Sequence, residues 1–403
     1  MTDTSRRILI AGMGPAGLVA ALILSRAGLP VAVFEAAPEL PTDLRASTFH
    51  PPTLDMLATL GLADLLVADG LKAPQYQWRD RRTGDAATFD MACLEGITAY
   101  PFRLQCEQFK LTRAAVAALR VEPLAELHFG CAARDVKQDD TSVTLTLDTP
   151  NGTRLERGAF LIGADGASSA VRGALGIDFQ GFTYAEQWVV ASTPVDFAAV
   201  IPGLAPVTYT ADPDEWYVLL QTRDLWRVLI PVADDANPKE VMSDAFIEAK
   251  LQSIAPHDGP YPIAHRTIYR VHQRVANTYH VGRVAIAGDA AHINNPLGGM
   301  GMNGGIHDAV NLAQKLEHIV NNGADVAKIL DHYSSQRRAI AEEYVLNHTH
   351  QNKQVIEESD PEKRAAHLAK MQKVAADPAA LLAHVRKGAM IDAVEKSMAI
   401  EPV

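Results

Sequence analysis

"ILIAGMGPAGLVAALILSRAGLPVAVFE", residues 8 to 35, decides the fold. It opens on a short apolar run, Ile8 to Ala11, that lacks the polar alternation of a half-solvated strand and so reads as a buried parallel one. Gly12, Gly14 and Gly17 then spell G-x-G-x-x-G. Leu18, Val19, Leu22 and Ile23 recur at helical spacing until Gly28 stops the helix. "VAVFE" is a second strand, ending on Glu35. Strand, glycine turn, helix and strand with an acid at the end is the context that turns a weak motif into a dinucleotide site. The glycines let backbone approach a pyrophosphate, and the helix N-terminus offers N–H groups and a positive dipole end. Gly12, Gly14, Pro15, Ala16 and Gly17 are therefore assigned to the cofactor. Glu35 accepts the ribose hydroxyls and repels a 2′-phosphate. The motif alone leaves NAD and FAD both open.

The rest of the chain sets bounds on that reading. Its 403 residues suit two packed domains, or one large domain with an insertion. A hydrophobic share of 48% and a charged share of 21% are those of an ordinary globular protein. The net charge of −11 argues against broad attraction to nucleic acid or to an anionic membrane surface. Cys93, Cys106 and Cys131 form no CxxC pair, which argues against a disulfide framework, a zinc site or a dithiol reductase. No stretch approaches the roughly 18 apolar residues of a membrane span, and "RRILIAG" breaks too early for a signal peptide. A cytoplasmic location is the expectation.

A second glycine-rich loop, "GDAAHINNPLGGMGMN" at 288 to 303, distinguishes the two cofactors. "RVAIAG" before it reads as another buried strand. "GGIHDAVNLAQKLEHIV" after it is a helix with Ile306, Ala309, Val310, Ala313, Leu316 and Ile319 along one face. Asp289 thus stands at a strand's carboxyl end, where open α/β sheets bind ligands. A second donor-rich pocket implies a ligand with a second electron-rich end. FAD has one: a ribitol chain for the carboxylate, and a flavin edge that becomes anionic on reduction and suits N–H groups around Met302 and Asn303. A helix N-terminus favours such an anion by about 0.3–2 kcal/mol.

This segment closely resembles the G-D-A-A-H…P-x-G-G-x-G-x-N signature of single-component (class A) FAD-dependent aromatic hydroxylases of the para-hydroxybenzoate hydroxylase type. "GADGASSAVR" resembles their middle signature, and implies that Asp165, Gly166 and Arg172 contact FAD and the visiting nicotinamide nucleotide. Arg45 in "LRASTFHPPTLDML" matches an arginine over the flavin phosphates, and Gln108 in "QFKL" a glutamine that reaches the cofactor. "RASTFHPPTLDML" and "YPFRLQCEQ" lean toward phenol and para-nitrophenol monooxygenases. On this resemblance Gly288, Asp289, Pro296, Gly299, Gly301, Met302 and Asn303 hold FAD. The reference loop carries a lysine where Met300 stands, which removes a fixed charge near the flavin.

The resemblance implies a fold of class α/β with an α+β insert. Residues 1–72, 98–180 and 275–334 would form a Rossmann-like FAD-binding domain. Residues 73–97 and 181–274 would form an inserted β-sheet substrate domain, and 335–403 a C-terminal helical segment that caps the pocket or an interface. "EWYVLLQTRDLWRVLIPV" reads as a hairpin turning at Thr222–Asp224. Trp216, Tyr217, Arg227, Pro296 and Leu297 are the candidate substrate contacts. Sheet core or the surface of a homodimer is the alternative for Trp216, Tyr217 and Arg227. Pro296 should form a rigid apolar wall at the flavin face, and Tyr217 is the candidate proton-transfer residue. His292 is read as a packing or hydrogen-bonding loop residue rather than a catalyst. His348 and His350 are read as solvated, and no metal site is expected.

The activity so implied is hydroxylation of a phenolic or hydroxylated heteroaromatic ring with NADPH or NADH and O2, through a flavin C4a-hydroperoxide. A flavin dehydrogenase or reductase of the same fold that inserts no oxygen, and a non-catalytic dinucleotide-binding protein, are the competing readings. No W-x-W-x-I-P segment suggests a flavin halogenase. The sequence is expected to resemble the short form, without the thioredoxin-like extension of the larger phenol hydroxylases.

Overall fold

The computed structural model describes residues 4 to 402 apart from Arg45, and all of their side chains except those of Val345 and Leu346. Ile8–Ala11 is wholly buried and lies inside a six-stranded sheet. The strand order is His280–Val281, Val284–Ile286, Phe160–Gly163, Ile8–Ala11, Val31–Glu35 and Ala125–Phe129. The last five are mutually parallel, and His280–Val281 is an antiparallel edge. Helix Pro15–Arg26 packs on this sheet between helices Gln108–Leu119 and Gly301–Asn322. Continuous apolar strands with helices against them are what crossover connections in a parallel sheet require. The sheet and these helices share one apolar core.

A second sheet has eight strands, in the order His292–Ile293, His265–Ala276, Phe179–Thr193, Trp226–Val232, Tyr217–Gln221, Val207–Ala211, Gln75–Asp80 and Ala86–Asp90. The expected hairpin is present: Gln221 pairs with Trp226, and Thr222 N–H donates to Leu225 O at 2.7 Å. The edge strand His292–Ile293 comes from the second glycine-rich loop and pairs with Arg274 and Val275. That loop is therefore stitched to both sheets.

Alternation gives the eight-stranded sheet two faces. Tyr209, Val218 and Leu229 share one with Trp188 and Trp216, against Leu297. Tyr217, Leu219, Trp226 and Val228 share the other, against Ile247 and Leu251 of helix Asp244–Ile254.

The chain after Val326 is helical. Pro361 and Pro378 open helices Pro361–Ala376 and Pro378–Gly388 rather than merely breaking a longer one, with Asp360 and Asp377 as caps. A missing N–H costs nothing in a first turn. These helices and the preceding helix Thr349–Ile356 cover the Trp216 face: Trp216 Nε1 donates to Glu357 at 3.0 Å, and Lys353 pairs with Glu186 at 2.7 Å. The reading of His348 and His350 as solvated is overturned by this packing. His350 Nδ1 lies 2.9 Å from the Tyr184 hydroxyl, and His348 is partly buried with its Nδ1 shielded. Among the described residues no cluster of side chains suits a metal, and no helix is long and apolar enough to cross a membrane.

Candidate active site

Adjacent parallel strands end level with one another and deliver the motif loops to one edge. Gly12 N–H donates to Phe34 O at 2.7 Å, Ala164 N–H to Ala11 O at 2.8 Å, and Ala287 N–H to Gly163 O at 3.0 Å. Gly12, the Asp165–Gly166 turn and Gly288–Asp289 therefore stand side by side at the carboxyl ends, where such sheets take ligands.

The glycines of the first loop have different reasons to be there. Gly12 has φ +101°, and a Cβ there would lie 2.2 Å from Ala164 O. A Cβ on Gly14 would meet nothing within 4 Å, so no protein contact requires that glycine. The space above Gly14 faces the first turn of helix Pro15–Arg26, which has no side-chain cap. Open space over uncapped N–H groups is a fit for a pyrophosphate. Glu35 bends toward the same loop: its Oε2 accepts from Met13 N–H and its Oε1 from Ala37 N–H, both at 2.9 Å. Each carboxylate oxygen keeps a lone pair for a ribose hydroxyl.

The second loop is held from behind. A Cβ on Gly288 would lie 3.2 Å from Ala16 Cβ, and one on Gly305 would lie 2.9 Å from Gly288 Cα. The two helix N-termini thus converge on Gly288. Asp289 is exposed at this point, between buried Gly288 and Ala290. His292 sits 2.8 Å from Asp308, which also accepts from Arg337 at 2.6 Å and from Gly288 N–H at 3.1 Å. Burial acts to raise the Asp308 pKa, but His292 and Arg337 outweigh it and hold the group at about 2. His292 has the structural role expected of it.

Asn303 latches the loop to the Thr48–His50 segment. Its Nδ2 donates to Gly299 O at 2.6 Å and Thr48 O at 2.8 Å, while its Oδ1 accepts from His50 N–H at 2.9 Å. Gly301 and Met302 begin the helix, whose first N–H groups have no intrahelical acceptor. Pro296 is half-buried, and Leu297 is buried among Tyr184, Trp188 and Trp216. Met300 points away from this side, into a cluster with Ile340, Tyr344 and Met390.

The middle signature serves as a brace. Asp165 accepts from Ser169 Oγ and Val171 N–H, capping helix Ala170–Ala174. Arg172 donates to Ala290 O at 3.0 Å and Ala167 O at 2.8 Å, tying the Asp165 turn to the Asp289 turn. Gln108 opens helix Gln108–Leu119, its N–H bound to Ala46 O at 2.9 Å. Arg45 lies outside the described residues, but Arg227 grips both its flanks, donating to Ser47 Oγ at 2.9 Å and Leu44 O at 2.5 Å.

Not every candidate meets here. Trp216 and Arg227 are directed toward the Leu297 side, while Tyr217 packs on the opposite face with Phe197 and Trp226. Neighbouring strand residues point to opposite faces, so Tyr217 is withdrawn as a proton-transfer residue. Sequence reasoning also missed a polar group beside the Pro296–Gly301 loop. His50 Nε2 bonds Gly298 O at 2.8 Å, Arg103 follows opposite it in the strand pair, and the Arg103 guanidinium lies 4.0 Å over the Tyr76 ring. Both histidine and arginine stand in the quoted "TFHPP" and "PFRLQ" segments, but nothing in their spacing joins them.

A parallel sheet that brings two glycine-rich loops and two acids, Glu35 and Asp289, to the carboxyl ends of its strands fits an FAD-binding oxidoreductase. The chain belongs to the family described as "FAD binding domain", whose pattern matches residues 5–348. It is 34% identical over 371 residues to para-nitrophenol 4-monooxygenase of Pseudomonas sp. (strain WBC-3), covering 90% of each chain. It is 34% identical over 336 residues to 6-hydroxy-3-succinoylpyridine 3-monooxygenase HspB of Pseudomonas putida (strain DSM 28022 / S16), covering 83% of this chain and 84% of that one. The crystal structure of p-nitrophenol 4-monooxygenase PnpA from Pseudomonas putida DLL-E4 superposes with a TM-score of 0.90 at 32% identity, covering 97% of both. The chain is a flavoprotein monooxygenase with FAD as its cofactor.

Proposed function

We propose that this monooxygenase hydroxylates a phenolic or hydroxylated heteroaromatic ring, with NAD(P)H and O2 as co-substrates. The observation that carries the ring assignment is the aromatic and apolar face of the eight-stranded sheet, with Trp188, Trp216 and Tyr184 packed around Leu297 beside the second cofactor loop. The two relatives named above are monooxygenases of a nitrophenol and of a hydroxypyridine.

Bound in this cleft, FAD supplies hydride uptake from the nicotinamide and activation of O2. The chain's own work is binding, orientation and exclusion of water. Gly14 and the N-terminus of helix Pro15–Arg26 would hold the pyrophosphate, Glu35 the ribose, and Asp289 the polyol. The N–H groups at Met302 and Asn303 would take the negative charge of the reduced ring. Pro296 offers no N–H and a fixed φ, so it supplies a dry wall on the side where the aromatic ring approaches.

The test is aerobic turnover with NADPH and with NADH under labelled O2, over phenols, phenolic acids and hydroxypyridines. One labelled oxygen in a ring product is the expected result. NAD(P)H consumption that yields only labelled H2O2 with every ring tried would overturn the proposal.

A further inference from the structure

Arg103 is a buried cation without a carboxylate. It is 3% exposed, like Arg337 at 3%, and Arg7 and Arg364 are at 7% and 8%. Those three pair with acids, Arg337 with Asp308, Arg7 with Glu126 and Glu156, and Arg364 with Asp80, while Arg227, 5% exposed, donates to Ser47 Oγ and Leu44 O. Arg103 instead lies 4.0 Å over the Tyr76 ring and donates to the Tyr209 hydroxyl at 3.3 Å. Its Nε is buried with no partner among the described residues. A desolvated guanidinium with an unmade hydrogen bond is costly, and a partner for it would offset that cost.

The surroundings are equally unfinished. Strands Thr48–Phe49 and Arg103–Gln105 run antiparallel with Thr48 opposite Gln105 and Phe49 opposite Leu104, so His50 follows on opposite Arg103. Directly opposed residues share a face. His50 Nε2 is committed to Gly298 O, a carbonyl, so it carries the proton and Nδ1 is a bare acceptor. That Nδ1 is buried and unpartnered, as is the Tyr76 hydroxyl. Tyr76 OH and Arg103 Nη2 converge over Gly388, where a Cβ would be 3.4 and 3.9 Å away. Donors and an acceptor without partners, beside the loop that carries Pro296 and Leu297, describe the complement of one hydroxyl group. Burial first, and then the Arg103 charge, hold His50 near a pKa of about 3, so it stays neutral and able to accept.

We propose that Arg103, Tyr76 and His50 are the cradle for the substrate's ring hydroxyl, with Arg103 and Tyr76 donating to its oxygen and His50 Nδ1 accepting its hydrogen. The inference rests on the reading of the chain as an aromatic hydroxylase and names the recognition element within it. His50 Nδ1 accepts the hydrogen only of the neutral phenol; once that proton has left to solvent, Arg103 and Tyr76 hold the oxygen, and the Arg103 charge favours this ionised, nucleophilic form.

The probe is para-nitrophenol, whose anion is coloured, titrated into oxidised full-length holoprotein across pH, alongside 4-nitroanisole, which cannot donate or ionise. Wild type should bind nitrophenol about tenfold or more tighter than nitroanisole, with the bound phenol ionising about one pH unit or more below the free one. Arg103→Met should abolish both the preference and the shift while keeping FAD, and Arg103→Lys should restore part of the shift. His50→Leu should lower the preference for the hydroxylated ring. Equal binding of the two probes by wild type, no binding of nitrophenol, or an unchanged shift in Arg103→Met would each overturn the inference. Should Arg103→Met not fold, the wild-type comparison of the two probes decides alone. A wild type that shows the preference and the shift but never inserts labelled oxygen into a ring would instead overturn the ring-hydroxylation proposal and leave the hydroxyl site standing.

Discussion

Gly12 and Gly14 belong to one motif but are required by different partners, and substitution separates them. An alanine at 12 must adopt φ +101° and bring its Cβ to 2.2 Å from Ala164 O. The backbone conformation alone costs about 1–3 kcal/mol, and the clash adds to it. Gly12→Ala should therefore lower the unfolding temperature even without cofactor. Gly14→Ala has open space and an ordinary φ of −73°, so the FAD-free protein should melt as wild type does. Its methyl would occupy the place of a phosphate oxygen, and FAD affinity should fall about tenfold or more, equivalent to at least about 1.4 kcal/mol. Thermal unfolding of the stripped proteins and flavin titration of each would check the pair. Wild-type FAD affinity in Gly14→Ala would mean that the cofactor does not pass over this turn.

At the scale of elements, the cofactor loops act together because side chains tie them. Arg172 joins the Asp165 turn to Ala290 O, and its guanidinium lies 3.9 Å over Phe179, at the start of the eight-stranded sheet. Arg172→Ala should weaken FAD binding about tenfold, since a charged hydrogen bond is worth about 1.5–3 kcal/mol and part of that only orients the loops. Flavin fluorescence titration reads the affinity, and an unchanged value would show that the loops hold their places without the brace. Pro296→Gly should act on the opposite side of the site. Lost rigidity should raise the fraction of NAD(P)H that ends as H2O2, measured by peroxide assay beside product yield, while FAD affinity stays constant. A coupling ratio equal to wild type would remove Pro296 from the wall of the site.

These elements also show how far local sequence reached. Gly12, Glu35, Asp165 and Asp289 were legible as candidates because each sits at or just after a strand end that its own apolar run announces. The faces of the eight-stranded sheet were not. Alternation separates Trp216 from Tyr217, but only the packing of Leu297 and the C-terminal helices decides which face lies against the second glycine-rich loop. His50 and Arg103 were hidden for a related reason: strand register alone makes them neighbours. His348 looked solvated because the helices after Val326 carry many charges, yet their apolar side lies on the Trp216 face.

Across the whole molecule, burial has made a set of histidines neutral, and this fixes the acid side of its stability. His50 and His307 are held at about 3 by burial, with the charges of Arg103 and Arg337 respectively adding to it. His348 and His384 are held at about 4, again mainly by burial, with Lys387 and Arg103 contributing. An unfolded histidine titrates near 6.5. Between that value and the folded one, the unfolded chain binds protons that the native chain does not, so stability falls as pH falls. Each such group removes up to about 1.4 kcal/mol per pH unit across its window. Asp308 adds a separate, lower step: its folded pKa of about 2 stabilises the fold above the unfolded carboxylate value, and that contribution is lost between about pH 4 and 2. Urea unfolding from about pH 7.5 down to about 5 should therefore show a steep loss of stability, with proton uptake on unfolding that approaches four groups at the acid end. His307→Gln, placed to keep the hydrogen bond between Thr53 and residue 307, should flatten that slope by about one proton. A stability that stays level to about pH 5 would mean that these imidazoles carry charge in the native state. It would also put added positive charge around Arg103 and remove the bare acceptor that the hydroxyl cradle needs.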